Sequence, residues 1–313
     1  MASRSKALNI QKKPLGKRFR ESIPFYLMLL PGIIFVFIFN YFPLYGLKIA
    51  FYRFIPAKGL FGDQKWVGMQ YFKEIFVNPD FTHALFNTII ISVWKLSLSI
   101  IIAIIFSILI NELRSSKLKR TVQTIVYLPH FLSWVILAGV FMDLLSPEYG
   151  MINKLITALG GEPIFFLGSN QYFRGTLIVT DLWKEFGFNT IVYLAAITSI
   201  DPSLYESAVV DGANRFKQIW HITLPGMLPI ILLMALLNIG SVMNANFDQV
   251  YNMYSPAVYE TGDVLDTLVY RIGLVQANFS LSTAIGLFKS VISLILVGSS
   301  YGLAYKFAGY RIF

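Results

Sequence analysis

An all-α integral membrane protein with six transmembrane helices is the fold class this sequence predicts, on three observations. Of its 313 residues 56% are hydrophobic and 14% charged, with a mean hydropathy of +0.61, whereas an ordinary water-soluble domain carries about a quarter charged residues. Apolar stretches of at least about 18 residues recur six times, over 23–45, 85–111, 121–146, 175–198, 226–248 and 283–305. Lysine and arginine collect in alternate connections between those stretches, as membrane topology demands. This composition excludes a disordered chain and argues against a soluble enzyme. The net charge of +9 lies between apolar runs, which argues against a nucleic-acid surface. Continuous rather than alternating runs exclude a β-barrel, and helices satisfy their own backbone in lipid.

The first span follows a basic tail over 1–22 that holds Arg4, Lys6, Lys12, Lys13, Lys17, Arg18 and Arg20. Its apolar run exceeds the roughly 7–15 residues of a signal-peptide core and lacks a small-residue cleavage site, so it reads as a retained anchor. The six-span body then runs over 23–313. An even number of spans puts both termini on one side. The tail, the 112–120 and 199–224 loops and the C-terminus carry fifteen Lys and Arg, against eight in 46–83, 147–174 and 250–282. The positive-inside rule therefore predicts cytoplasmic termini, cytoplasmic 112–120 and 199–224 loops, and three outward segments with Trp and Tyr near their boundaries.

The 199–224 loop is longer than a simple connection needs. Ser203 followed by Glu206 has capping-box spacing, and Pro202 suits a helix start, so a short helix is predicted there. Asp211-Gly212 supplies a turn at which glycine tolerates positive φ, and Phe216, Ile219 and Trp220 give a second short helix one apolar face. Pro225 is predicted to end this unit and open the next span. Two readings follow: a projecting helix-turn-helix knob that docks into a soluble partner, or an amphipathic loop lying on the bilayer surface.

Glu206-Ser207-Ala208, three residues, Gly212, nine residues and Ile222-Thr223-Leu224-Pro225 resemble the EAA loop of bacterial ABC-importer permeases. That pattern is E-A-A, three residues, G, nine residues, I-x-L-P, and Ser207 replaces its first alanine. The resemblance implies a type I importer permease (MetI-like) fold in a bacterial cell membrane. It also implies that residues 203–221 form a coupling helix seated in a groove of an ATP-binding subunit. The coupling positions would be Glu206, Ser207, Ala208, Asp211, Gly212, Ala213, Phe216 and Pro225. The stretch from Phe51 to Phe72, with Trp66-Val67-Gly68-Met69-Gln70-Tyr71-Phe72, is similar to the outer segment of maltose-type sugar importers. Phe25 to Gly32 and Asn40 to Gly46 resemble the LplB-like branch, which handles larger oligosaccharides derived from plant or algal polysaccharides. The implied partners are a second homologous permease, two copies of a cytoplasmic ABC ATPase, an extracellular solute-binding lipoprotein, a sugar and membrane lipid, with no nucleic acid. The implied mechanism is alternating access: closure of the ATPase pair brings the knobs together and opens the cavity outward, and hydrolysis resets it.

Charges inside spans are costly unless paired or wetted, so they mark a bundle interior or a water-filled path. In the fourth span Asp181 stands within one turn of Lys184 and Glu185, and local Asp181–Lys184 pairing is predicted. Trp183 and Phe188 stacking on sugar rings, with Asn189 and Lys184 bonding hydroxyls, is one reading; an ion-paired helix contact is the other. The fifth span ends in amides, and in maltose-type relatives the corresponding helix contributes substrate contacts. Asn244, Asn246, Asp248 and Tyr251 are therefore the substrate-path candidates there, with polar packing bridges as the alternative. Lys95 and Lys289 read as structural groups facing the bundle. Tyr127-Leu128-Pro129-His130 predicts a kink in the third span.

The chain has no cysteine, and His83, His130 and His221 are scattered, so no metal, thiolate or disulfide chemistry is expected. No G-x-x-x-x-G-K-[ST] occurs, so ATP and magnesium are expected on a partner ATPase and no cofactor in this chain. A membrane-embedded enzyme needs an acid cluster or a nucleophile–base set, and Asp181 with Glu185 is incomplete as one. An ion-coupled secondary transporter would show discontinuous helices and inverted repeats and would leave the EAA loop unexplained. Import of another solute class by the same kind of machine is the other alternative.

Overall fold

A computed structural model describes residues 15–308. The basic residues Arg4, Lys6, Lys12, Lys13 and Arg311 lie outside the described residues. The chain divides into two compact units, residues up to 48 with 56–63, and 49–55 with the rest. In the first, helix α1 (Leu15–Val36) starts within the basic segment and continues through a π turn, Phe37–Tyr41. The stretch Glu21–Phe51 is apolar and long enough to cross a bilayer.

The second unit opens on a two-stranded antiparallel ribbon, β1 (Tyr52–Arg53) and β2 (Lys65–Trp66), with Tyr52 opposite Trp66. Helix α2 (Gln70–Val77) leads to α3 (Pro79–Glu112), which the Asn78 side chain caps by accepting from Asp80 N at 3.0 Å. At 34 residues, α3 is about 50 Å long, more than the hydrocarbon core of about 30 Å. Next come α4 (Ser116–Tyr127) and α5 (Trp134–Leu145). The predicted kink is a full break: the axes on either side of it differ by 102°. Pro129 lies in a 3-10 turn, Leu128–Phe131, and Ser133 caps α5 through Ile136 N.

The chain continues through α6 (Met151–Ala158) to α7 (Asn170–Thr198), then α8 (Pro202–Val210) and α9 (Arg215–Gln218). Helix α9 runs without interruption through a π turn, Ile219–Thr223, into α10 (Leu224–Ile239). After a non-helical stretch come α11 (Phe247–Met253), α12 (Tyr259–Gly262), α13 (Leu265–Tyr270) and α14 (Phe279–Ala308).

Among the described residues four helices are long and apolar enough to cross a membrane, or five if the bent α4–α5 pair counts as one. The count of six is therefore not reproduced by length and hydropathy alone. Helix α7 occupies the fourth expected span and has 29 residues, but Arg174, Asp181, Lys184 and Glu185 interrupt its apolar character. The fifth span is shorter than expected. It ends at Ile239, not 248, because Ser241 Oγ and the side chain of Asn244 bond local backbone and compete with helical pairing.

Helices α3 and α7 are the packing axis. Asn189 Nδ2 donates to Ser99 Oγ at 2.8 Å across them, and Ala103, Tyr193, Ala196, Ile197 and Met227 form one apolar cluster. A second joins Ile91 with Trp134, Phe173 and Val250; a third joins Phe81 with Leu268 and Ile285. Gly187 lets α7 approach α4: a Cβ there would stand 2.2 Å from Val126 O.

Two polar clusters stand at separate ends of the second unit. At one, Arg271 pairs with Asp80 at 3.1 Å, Arg174 Nε donates to Thr261 O at 3.1 Å, and Ser280 Oγ donates to Tyr52 O at 2.8 Å. These contacts tie Tyr52 and Asp80 to 250–282, and Arg174 to the same segment. At the other, Glu112 and Arg215 stand 3.9 Å apart, which brings the 112–120 and 199–224 loops to one face.

Candidate functional site: an exposed helical knob and a polar pocket

The 199–224 loop folds as two helices closed by a Schellman turn. Asp201, not Ser203, caps α8: its carboxylate accepts from Ser203 N at 2.9 Å, so no capping box with Glu206 forms. Proline at the following position pre-sets the helical φ and places the cap two residues earlier than the Ser-to-Glu spacing suggests. The Ser203 backbone N–H holds the Asp201 carboxyl below the usual carboxylate range. A lowered folded-state pKa means the cap contributes above the unfolded carboxylate's range and is lost as pH falls through the folded value. At neutral pH it is therefore fully formed. Asp201→Ala is expected to speed amide hydrogen exchange at Ser203 and Leu204, and Asp201→Asn to leave it nearly unchanged, as read by exchange mass spectrometry.

At the other end of α8, Gly212 adopts φ +72° and donates to Val209 O at 3.1 Å, while Ala213 N donates to Ala208 O at 2.8 Å. Asn214 then caps α9 through Lys217 N, and the buried Gln218 returns Nε2 to Ala213 O at 2.9 Å. Tyr205 and Thr223 hydroxyls meet at 3.0 Å and tie α8 to the π turn. Pro225 does not end the unit. The π turn sends Leu224 N to Ile219 O, and the continuous helix Arg215–Ile239 accommodates the residue that has no N–H. The outer surface of this knob combines apolar side chains with charges of both signs, exposed Arg215 and Lys217 standing beside the acids. Glu206, Ser207 and Asp211 are exposed and Ala208 and Ala213 half-buried; Val210 is 87% and Phe216 72% exposed, with Phe216 stacked on an exposed Trp220.

The span polar residues separate into two groups. Lys184 pairs with Glu185 at 2.7 Å and donates to His130 O at 3.0 Å, not to Asp181 as predicted. Asp181 instead faces Lys95 of α3 at 3.4 Å, because successive side chains fan around a helix and this one points to the neighbouring element. Glu185 also meets His130 Nδ1 at 2.7 Å, and Phe188 lies flat on the His130 ring at 3.9 Å. Lys184, Glu185 and Phe188 thus clamp the broken third span. Asn189 is spent on Ser99, and Trp183 stands edge-on to Phe141 in an apolar groove of 630 Å³. Lys289 pairs with Asp266.

Asn244, Asn246 and Asp248 come together with Ser241 and Phe247 around an open polar pocket of 360 Å³. Tyr251 stacks on Phe247 at 5.2 Å one turn further along α11. The pocket therefore offers amides, a carboxylate and an aromatic face in one place. Sequence reasoning missed the network at the opposite end from the knob. Buried Asn87 donates to Glu260 O and Asp263 O, and accepts from Arg174 at 2.6 Å. Asp263 accepts from Thr267 at 2.6 Å and pairs with Arg271; burial nonetheless pushes its carboxyl above the usual range. Arg174 and Arg271 had signalled only as loop charges, since Asn87 and Asp80, which they meet, lie about 90 and 190 residues away in the chain.

A family model described as "Binding-protein-dependent transport system inner membrane component" matches residues 96–300. Protein LplB of Bacillus subtilis (strain 168) is 42% identical over 282 residues, covering 90% of this chain and 88% of the relative. The polygalacturonan/rhamnogalacturonan transport system permease protein YteP of the same organism is 43% identical with the same coverage. A solved structure of a bacterial ABC transporter involved in the import of the acidic polysaccharide alginate aligns with TM-score 0.86 at 38% identity. That alignment covers 94% of this chain and 99% of that one. A second alginate transporter structure, in complex with a periplasmic protein bound to alginate pentasaccharide, aligns at 0.85 and 39% identity, covering 93% and 96%.

Proposed function

This chain belongs to the binding-protein-dependent transport system inner membrane component family, and from that premise we propose that it is the permease of an ATP-driven importer for oligosaccharides derived from acidic plant or algal polysaccharides. The observation that carries this reading is the knob: a capped helix, a left-handed glycine turn and an exposed Phe216–Trp220 face, standing on the continuous helix that leads into the fifth span. Such a lever transmits a push received by α8 into α10 as a rigid body. The long break between α4 and α5 is also what an ion-coupled carrier would show; family membership decides against that reading.

The partners follow from the same proposal. A second permease completes the cavity, and two cytoplasmic ATPase subunits supply the work. A solute-binding lipoprotein delivers the sugar, a reading supported by the alginate transporter's complex with an alginate pentasaccharide-bound periplasmic protein. The knob and both termini are cytoplasmic, and the Asn87–Arg174–Asp263–Arg271 end faces outward; the Glu112–Arg215 contact and the basic-residue asymmetry support that orientation. Glu206, Ser207, Ala208, Asp211, Gly212, Ala213 and Phe216 meet the ATPase. Pro225 serves the helix path behind them. Asn244, Asn246, Asp248 and Tyr251 bind the sugar, while Lys184 and Phe188 act through the broken span.

Uptake of labelled oligogalacturonides and alginate oligosaccharides by cells carrying the whole system tests this. Wild-type uptake of at least one is expected, and Asn244→Ala or Asp248→Ala should weaken it by about tenfold, the worth of a lost polar contact. Absence of uptake, or unchanged KM in both variants, would reject the sugar-site assignment.

A further inference from the structure

The polar pocket is built around an uncommon backbone. Asn246 has φ +68°, a conformation that costs a non-glycine residue about 1–2 kcal/mol and persists only where its surroundings impose it. The restraint comes from a buried lysine and a half-buried aspartate outside the pocket. Lys95 of α3, 6% exposed, spends its three ammonium donors on Asp181 Oδ1 at 3.4 Å, Ala245 O at 3.1 Å and Gln249 Oε1. Asp181 in turn accepts from Asn246 Nδ2 at 3.3 Å. Gln249, fully buried, sends Nε2 to Leu177 O at 2.8 Å and Thr180 Oγ1 at 2.9 Å of α7, and its backbone N–H goes to Asn246 Oδ1. Residues 245–249 are thus gripped from α3 and α7 at once, with exposed Asn244 just before the gripped turn and exposed Asp248 within it.

We infer that Lys95 and Asp181 are a positioning pair for the sugar pocket: they touch no substrate, but hold the turn that positions Asn244 and Asp248, which do. The inference rests on the reading of this pocket as the sugar site. An ion pair suits the task because its geometry specifies one arrangement of three segments, where an apolar contact would allow several; the cost is desolvation of both charges. The pair therefore sets affinity for the sugar and not the rate of the transport cycle.

The test measures uptake in the fully assembled importer with whichever oligogalacturonide or alginate oligosaccharide the wild type imports. Lys95→Met alone leaves the half-buried Asp181 without its counter-charge and is expected to lower the amount of assembled complex. The double variant Lys95→Met with Asp181→Asn removes both charges and is the decisive one. It is expected to assemble normally, to keep Vmax per complex within about twofold, and to raise KM about tenfold because Ala245 O and Gln249 lose their donor. A wild-type KM in the double variant would overturn the inference. So would its failure to assemble, which would make the pair a folding requirement. If Asn244→Ala and Asp248→Ala leave KM unchanged, the pocket reading itself is at fault; if they raise it and the double variant does not, only the positioning role falls.

Discussion

Gly212→Asp is expected to abolish sugar uptake and receptor-stimulated ATP hydrolysis while leaving the permease at near-normal abundance in the membrane. A Cβ at Gly212 meets nothing within 4 Å inside the chain. Aspartate also tolerates the left-handed region better than most residues. The fold therefore accepts the substitution at a backbone strain of about 1–2 kcal/mol, and the larger loss is expected outside the chain, where a new side chain and charge stand at the tip of the knob. Buried interface centres lose about 2 kcal/mol or more on such changes, a factor of roughly thirty in affinity. Pull-down of the ATPase by the variant, compared with wild type, separates docking from later steps. Normal uptake by this variant would refute docking at the 202–223 knob.

Gly187→Val should act in the opposite way, through the fold and not through a partner. Its Cβ would stand 2.2 Å from a backbone oxygen, Val126 O, which cannot rotate away as a side chain could. Separating α7 from α4 costs about 1–3 kcal/mol or more, and it also pulls Lys184, Glu185 and Phe188 from His130. The detergent-solubilised protein is expected to unfold at a lower Tm by tryptophan fluorescence, with reduced membrane abundance. Gly187→Ala should show a smaller loss of the same kind. An unchanged Tm in both variants would mean that α7 and α4 do not pack as closely as described.

Long apolar runs and the spacing of the knob were legible because both are local. Apolar length decides a span by itself, and Gly212 shows its purpose within the six residues that close the turn. Helix ends were less legible. Asp201 competed with Ser203 for the cap of α8, and only the backbone path resolved that competition. Pro225 carries the usual signature of a boundary, yet a π turn before it keeps the helix whole. The fifth span read nine residues too long because Asn244 and Asn246 carry no sign in the sequence of which backbone groups they will bond.

The sequence by itself determined that this is a helical membrane protein, and it predicted which loops share a side and that one loop carries a coupling motif. Each of these rests on composition, charge asymmetry or short-range spacing, quantities that do not depend on how distant segments meet. Tertiary structure alone decided the partners of the buried charges: Lys95 with Asp181 and Gln249, Lys184 with Glu185 and His130, Arg271 with Asp80 and Asp263. In a low-dielectric interior every such charge must find a partner. Which partner it finds is set by the packing of α3, α7 and the α10–α11 bend, and the chain encodes that packing only through the shape of all three together.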